Sequence, residues 1–211
     1  MGFGFADISK YVVLTIALVF GLTLHEFAHA WTAVQLGDPT PRSHGRLTLN
    51  PRAHLDVLGT LLFYIAGIGW AKPVPYNPYN LRVGVKQGGL LVSAAGPLMN
   101  LLVAIIAAAL LRFILVPVQA PRLLITAVSF IASFNILLSV FNLLPIAPLD
   151  GFRVLVGLLP YPWSYEWARF EQYGPLILMF LILSGSFLRV NVLWWIIGLP
   201  IQVLERVILG V

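Results

Sequence analysis

The stretch Gly21-Leu22-Thr23-Leu24-His25-Glu26-Phe27-Ala28-His29-Ala30-Trp31 sets three ionisable side chains inside a segment that is otherwise apolar from about Tyr11 to Leu36. About 20 apolar residues, each rising 1.5 Å along a helix, cross the hydrocarbon of a bilayer, so the segment is long enough to span. On a helix, positions i and i+4 are offset by about 40° around the axis. His25 and His29 therefore leave the same face and can share one metal ion. Glu26 is turned about 100° from His25, beside the ion but not between the imidazoles. There its carboxylate can take a proton from the attacking water, the general-base role that goes with HExxH. Ionisable groups near the middle of an apolar helix cost several kcal/mol without partners, which argues against an accidental match.

The remaining composition agrees with a bilayer as solvent. Of 211 residues, 59% are hydrophobic and 10% charged, where a soluble domain carries about a quarter charged residues. With no cysteine, neither a disulfide framework nor a thiolate metal site is available, so a metal must be held by His, Asp or Glu. The net charge of +5 comes from Lys and Arg scattered singly, without a basic run or basic helix face; this excludes a nucleic-acid partner and leaves the basic residues as topology markers. The first apolar segment is expected to be retained, because a cleaved signal would not carry the chemistry.

Outward from that helix, apolar segments run from about Gly89 to Val116, fenced by Pro117, and from about Leu123 to Leu144, ending at Pro145. A further span covers about Tyr173 to Leu188, after an amphipathic stretch at Tyr161 to Glu171. Val57 to Trp70 is apolar but short, bounded by Asp56 and Lys72, and reads as re-entrant or half-spanning. Asn191 to Ile208 is long enough to cross but holds Pro200, Glu205 and Arg206, so crossing and not crossing stay equally open. Residues 40–88 contain the extended polar region. In Gly45-Arg46-Leu47-Thr48-Leu49-Asn50 polar and apolar side chains alternate up to the turn pair Asn50-Pro51, which predicts a strand. Its free edge is suited to holding an extended substrate through Gly45, Arg46, Leu47, Thr48 and Leu49. The prolines of Pro73-Val74-Pro75-Tyr76-Asn77-Pro78 predict a second extended piece. The expected fold is thus one polytopic membrane domain over residues 1–211. It is an all-α core of four to six spanning or half-spanning helices, with a small β-strand region between the HExxH helix and the next span.

If the first helix runs from outside to inside, Arg42, Arg46, Arg52, Lys72, Arg82, Lys86, Arg153, Arg169 and Arg206 lie inside and Lys10, Arg112, Arg122 and Arg189 outside. The excess of basic residues inside favours that orientation. The tally assumes that Val57 to Trp70 returns to the side it left and that the last apolar segment crosses.

Two histidines leave a catalytic zinc short of a third protein ligand. Asp150 is the candidate, in Asn142-Leu143-Leu144-Pro145-Ile146-Ala147-Pro148-Leu149-Asp150-Gly151, where two prolines interrupt an apolar region. Broken backbone at membrane depth survives only where protein or a water-filled cavity surrounds it. From this alone, Asp150 reads equally as a metal ligand or as a helix N-cap.

Together these motifs resemble the site-2 protease family of intramembrane metalloproteases, which pairs an HExxH helix with a downstream NxxPxxxxDG loop. Asn142, Pro145, Asp150 and Gly151 match that loop in order and spacing. Gly96-Pro97-Leu98-Met99-Asn100 is similar to the family's small-residue-to-Asn motif, and Gly69-Trp70-Ala71-Lys72-Pro73-Val74-Pro75 to a segment of its compact bacterial and archaeal members. The resemblance runs from about Gly21 to Gly151 and implies one zinc per chain held by His25, His29 and Asp150. It further implies Glu26 as base, a transmembrane protein as substrate, and a multi-pass protein of a prokaryotic cell membrane with its site toward the cytoplasm. Asn142 is implied as a polar contact for substrate backbone, with a helix-capping role equally open. Asn100 is expected in an interhelical hydrogen bond, with Gly96 letting the helices approach. Many members carry PDZ or CBS modules, for which this chain is not expected to have room. A membrane metal transporter or sensor would need no glutamate base. A noncatalytic descendant of a protease would bind without cutting.

Overall fold

The computed structural model describes residues 5–67, 69–188 and 190–210. Helix α1 runs Phe5–Gln35, and its apolar part, Tyr11–Gln35, is 25 residues long, about 38 Å at the rise of an α-helix. Gly37, at φ +108°, ends it. The Asp38 amide donates to Ala33 O at 3.0 Å and the Gly37 amide to Val34 O at 3.1 Å, the paired bonds of a Schellman stop.

Asp38 is fully buried and saturated. It accepts from the Thr40 amide and hydroxyl at 3.1 and 2.6 Å, from the Asn77 amide at 2.7 Å and from Asn80 Nδ2 at 2.9 Å. The end of α1 is thereby tied to a turn some forty positions on, after the proline-rich segment. Burial pushes the Asp38 carboxyl up, but the hydrogen bonds from Thr40, Asn80 and Asn77 outweigh it and hold the group below its ordinary value. Asp38→Asn turns one oxygen into a donor facing a donor, and is expected to lower stability in detergent by about 2–3 kcal/mol. The carboxylate's contribution is complete above the unfolded value of about 3.9 and is lost as pH falls through the lower folded value. A thermal melt of Asp38→Asn between neutral and acid pH should lack that portion of the wild-type decline.

After the short helix α2 (Thr40–Ser43), residues 44–50 form turns and bends rather than a strand. The expected β region is corrected accordingly: among the described residues there is one isolated antiparallel bridge, Leu55 to Ala71. Local hydrogen bonds replace strand pairing. Gly45 takes φ +65°, the Arg46 amide donates to Pro41 O at 2.8 Å, and Asn50 caps a 3-10 turn at Pro51–Ala53. The strand on which a substrate-pairing edge through Gly45, Arg46, Leu47, Thr48 and Leu49 was expected is not formed.

Helix α3 (Val57–Ala66) is 10 residues long, about 15 Å, half the hydrocarbon thickness of about 30 Å. Asp56 caps it at Gly59 N, 2.8 Å, and Gly67 at φ +70° closes it. The bridge at Leu55 and Ala71, with the Lys72 amide on His54 O at 2.7 Å, brings the two ends of the segment together. Phe63 packs on Phe134 at 5.9 Å between centroids.

Helix α4 (Val85–Leu110) continues as a π turn through Leu115, and α5 covers Arg122–Asn142. Both are long and apolar enough to cross a membrane; with α1 they make three such helices among the described residues. α4 is central and packs on α1, α5 and helix α6 (Asp150–Leu158). Then come α7 (Trp163–Ala168) and a 3-10 turn at Arg169–Tyr173. The span expected at Tyr173–Leu188 is helix α8, Gly174–Leu188, of 15 residues; at about 22 Å it is shorter than the hydrocarbon of about 30 Å. The turn at 169–173 consumes the residues that would have lengthened it. α9 is Val192–Ile208, of 17 residues, about 25 Å. Arg189, assigned to the outer side above, lies outside the described residues.

Ala104, Ile136, Leu144, Leu149, Ile197 and Ile201 form a buried cluster where α4, α5, the 143–149 loop and α9 meet. Gly174 adds a second clamp, since a Cβ there would strike the Ala147 carbonyl. Leu144, Ala147 and Leu149 of the irregular loop are buried, while Leu143, Pro145 and Pro148 stay exposed.

Candidate metal centre and active site

His25, Glu26 and His29 are 4%, 8% and 8% exposed, and the two histidines lie on the side of α1 that meets α4. Asp150 is the first residue of α6, whose N-cap is Leu149 with no capping side chain. Its carboxylate turns instead toward α1: Oδ2 is 3.1 Å from His25 Nε2 and 3.3 Å from His29 Nε2. Gly151 permits this, because a Cβ would overlap the Leu143 and Leu144 carbonyl oxygens.

The outer nitrogens of both rings are engaged. His25 Nδ1 donates to Asn100 Oδ1 at 2.6 Å and His29 Nδ1 to the Val92 carbonyl at 2.7 Å. With the hydrogens on Nδ1, each Nε2 carries a lone pair, and the two stand 3.0 Å apart. Two lone pairs and a carboxylate oxygen therefore converge, an arrangement that repels itself unless a cation lies among them. Donors bound to tetrahedral zinc at about 2.0–2.1 Å stand about 3.3–3.4 Å from one another. The set fits zinc, and among the described residues it is the cluster of three His, Asp or Glu side chains able to hold a metal.

Gly96 sets the distance between α4 and this pair. A Cβ there would overlap His29 Nε2 and lie 2.6 Å from His25 Cε1, so this glycine is the floor on which both imidazoles rest.

Glu26 has a cationic neighbour that sequence reasoning placed in a strand. Arg46 and His54 both stand within electrostatic reach of Glu26. Arg46 Nη2 donates to the Lys72 carbonyl; burial pulls its guanidinium below the ordinary value, Glu26 pulls the other way, and the group stays charged. His54 is fully buried, with Nε2 donating to Thr48 O at 2.7 Å. Burial holds its imidazole below the ordinary value, so it is neutral at pH 7. Asn142 ends α5 and its amide donates to Leu138 O at 2.9 Å within the same helix; it joins neither the cluster nor a cap of α6. His44 donates to Thr40 O at 2.9 Å and stands apart from the site.

The profile of Peptidase family M50 matches residues 118–184, which include Asn142 to Gly151 and leave HExxH outside. YwhC of Bacillus subtilis is 38% identical over 201 residues, covering 91% of this chain and 89% of YwhC. The chain belongs to peptidase family M50. Rip2 of Mycobacterium tuberculosis is 33% identical over 83% of this M50 chain and 68% of its own length. MJ0392 of Methanocaldococcus jannaschii is 26% identical over 74% of this chain, which spans 37% of that longer relative. MJ0392 bears the name zinc metalloprotease, and YwhC and Rip2 bear it provisionally. No solved structure matches the chain.

Proposed function

We propose that His25, His29 and Asp150 hold one zinc ion and that Glu26 is the base in hydrolysis of peptide bonds in transmembrane protein substrates. The chain is a zinc metalloprotease of family M50 and a membrane protein; the assignment of residues to roles is our reading. The observation that supports it most is the convergence of two imidazole lone pairs and one carboxylate oxygen, 3.0–3.3 Å apart, one residue from a buried glutamate.

Zinc bound there supplies a Lewis acid that polarises the scissile carbonyl and acidifies water. The Glu26 carboxylate accepts a proton as water attacks the carbonyl carbon, and returns it to the leaving amine as the C–N bond breaks. Arg46 keeps a positive charge within electrostatic reach of Glu26. Asn142, at the last turn before the loop that carries Asp150, offers its amide oxygen to a substrate N–H. Purified protein in liposomes with a single-span substrate should release product that stops with a zinc chelator and resumes with zinc. Unchanged membrane-protein termini in cells carrying wild type and Glu26→Gln would sink the reading, and zinc uptake by vesicles that survives Glu26→Gln would replace it with transport.

The proposed orientation has the site toward the cytoplasm, because basic residues concentrate on that side in the tally above and the two ends of the 57–70 segment come together. In this cysteine-free chain, a cysteine at exposed Arg52 should label from the cytoplasm and one at exposed Arg122 from outside. The reverse pattern would invert the topology.

A further inference from the structure

We propose that Asn135, on α5, is a positioning residue that fixes which nitrogen of His25 carries hydrogen and so keeps His25 Nε2 open for zinc. The inference rests on the reading of His25 as a zinc ligand.

Asn100 and Asn135 are both fully buried, and their hydrogen bonds form a chain whose direction is fixed by backbone carbonyls. Asn135 Nδ2 is 2.9 Å from Ile131 O. A carbonyl can only accept, so the nitrogen must point there and Oδ1 must point away, toward Asn100. Asn100 Nδ2 then lies 2.8 Å from Asn135 Oδ1 and 3.1 Å from Gly21 O, two acceptors that both demand a donor. Asn100 Oδ1 is left facing His25 Nδ1 at 2.6 Å. That contact is satisfied only if Nδ1 carries the hydrogen, which puts the lone pair on Nε2, toward His29 and Asp150.

Reversing any one amide would set oxygen against oxygen or donor against donor between buried side chains. The chain links three helices: α5 through Asn135, α4 through Asn100 and α1 through His25. Gly21 makes room for it, since a Cβ there would sit 3.2 Å from Asn135 Oδ1 and 3.0 Å from Leu138 Cδ1. His29 is set differently, by the Val92 carbonyl alone, which no side-chain substitution removes.

The test compares wild type, Asn135→Ala, Asn135→Asp and Gly21→Ala. Two quantities are read: zinc affinity by chelator competition, and the protonated ring nitrogen of each of the four histidines by 15N NMR of the metal-free protein at alkaline pH. Asn135→Ala should weaken zinc binding about tenfold, the lower end for loss of a group behind a metal ligand, and should mix the His25 tautomers. His29 and His54, held by backbone carbonyls, should keep theirs. Asn135→Asp should restore zinc affinity near neutral pH, where a buried acid keeps its proton and offers the same acceptor and donor as the amide; it is left out of the alkaline tautomer comparison, where the acid ionises. Gly21→Ala, which leaves Asn135 in place but displaces it, should weaken zinc binding several-fold, and it decides the matter if Asn135→Ala does not fold. Zinc affinity within twofold of wild type and a single His25 tautomer in Asn135→Ala, or in Gly21→Ala where Asn135→Ala does not fold, would overturn the proposal. Absence of zinc from wild type would instead overturn the metal assignment, while the tautomer comparison would still judge Asn135.

Discussion

Glu26→Gln should retain the fold and the zinc and lose peptide hydrolysis by at least about a thousandfold, within the 10²–10⁴ range for proton transfer by a positioned side chain. Glutamine preserves the shape of the buried side chain and its packing on α1, but its amide cannot take the proton released as water attacks. The substitution leaves the three proposed ligands, the Asn100 and Val92 hydrogen bonds and the Gly96 contact unchanged. It also removes the negative charge near Arg46, so a modest loss of stability is expected in addition. Measurable turnover near wild type, with the same zinc content, would remove Glu26 as base.

Gly96→Ala should be nearly as damaging, through a single methyl group. The added Cβ would overlap His29 Nε2 and come within 2.6 Å of His25 Cε1, so the rings or the helices must move by about 1 Å to restore ordinary contact. Misplacement on that scale costs on the order of 10²-fold in rate, and overpacking adds about 1–3 kcal/mol of destabilisation. Zinc affinity should fall with the rate. Gly89, on the same helix, is the control, because a Cβ there meets nothing nearer than Tyr76 Oη at 3.9 Å. Gly89→Ala should leave zinc and activity intact and gain up to about 1 kcal/mol of helix stability. Equal zinc affinity in Gly96→Ala and Gly89→Ala would show that the imidazoles do not rest on Gly96.

These cases mark what can be read from residues in order and what cannot. His25 and His29 were legible because their relation is local: a four-residue spacing on a helix fixes a shared face whatever surrounds it. Asp150 was legible as a candidate through its proline-interrupted setting, yet its choice between cap and ligand depended on the approach of α6 to α1, which is tertiary. Gly96 and Asn100 were recognisable as a close-approach glycine and an interhelical hydrogen-bonding residue, but not as the floor and the partner of the imidazoles. Asn135, Val92 and Arg46 carry no local signal, since their partners are far away in the chain. The strand expected at Gly45–Asn50 failed because six alternating residues specify a strand only where a second strand pairs with them, and here turn-forming Gly45 and side-chain bonds at Thr48 and Asn50 hold the backbone instead. The segment expected from about Tyr173 to Leu188 is a helix over Gly174–Leu188, one residue shorter because Tyr173 closes a 3-10 turn.

The central claim, one zinc held by His25, His29 and Asp150, is tested most directly by zinc-edge X-ray absorption on the purified protein with metal content measured on the same sample. The account predicts about one zinc per chain, with two imidazoles and oxygen donors at about 2.0–2.1 Å, and loss of most of that zinc in Asp150→Ala. A first shell without imidazole, or an unchanged spectrum and full occupancy in Asp150→Ala, would contradict it.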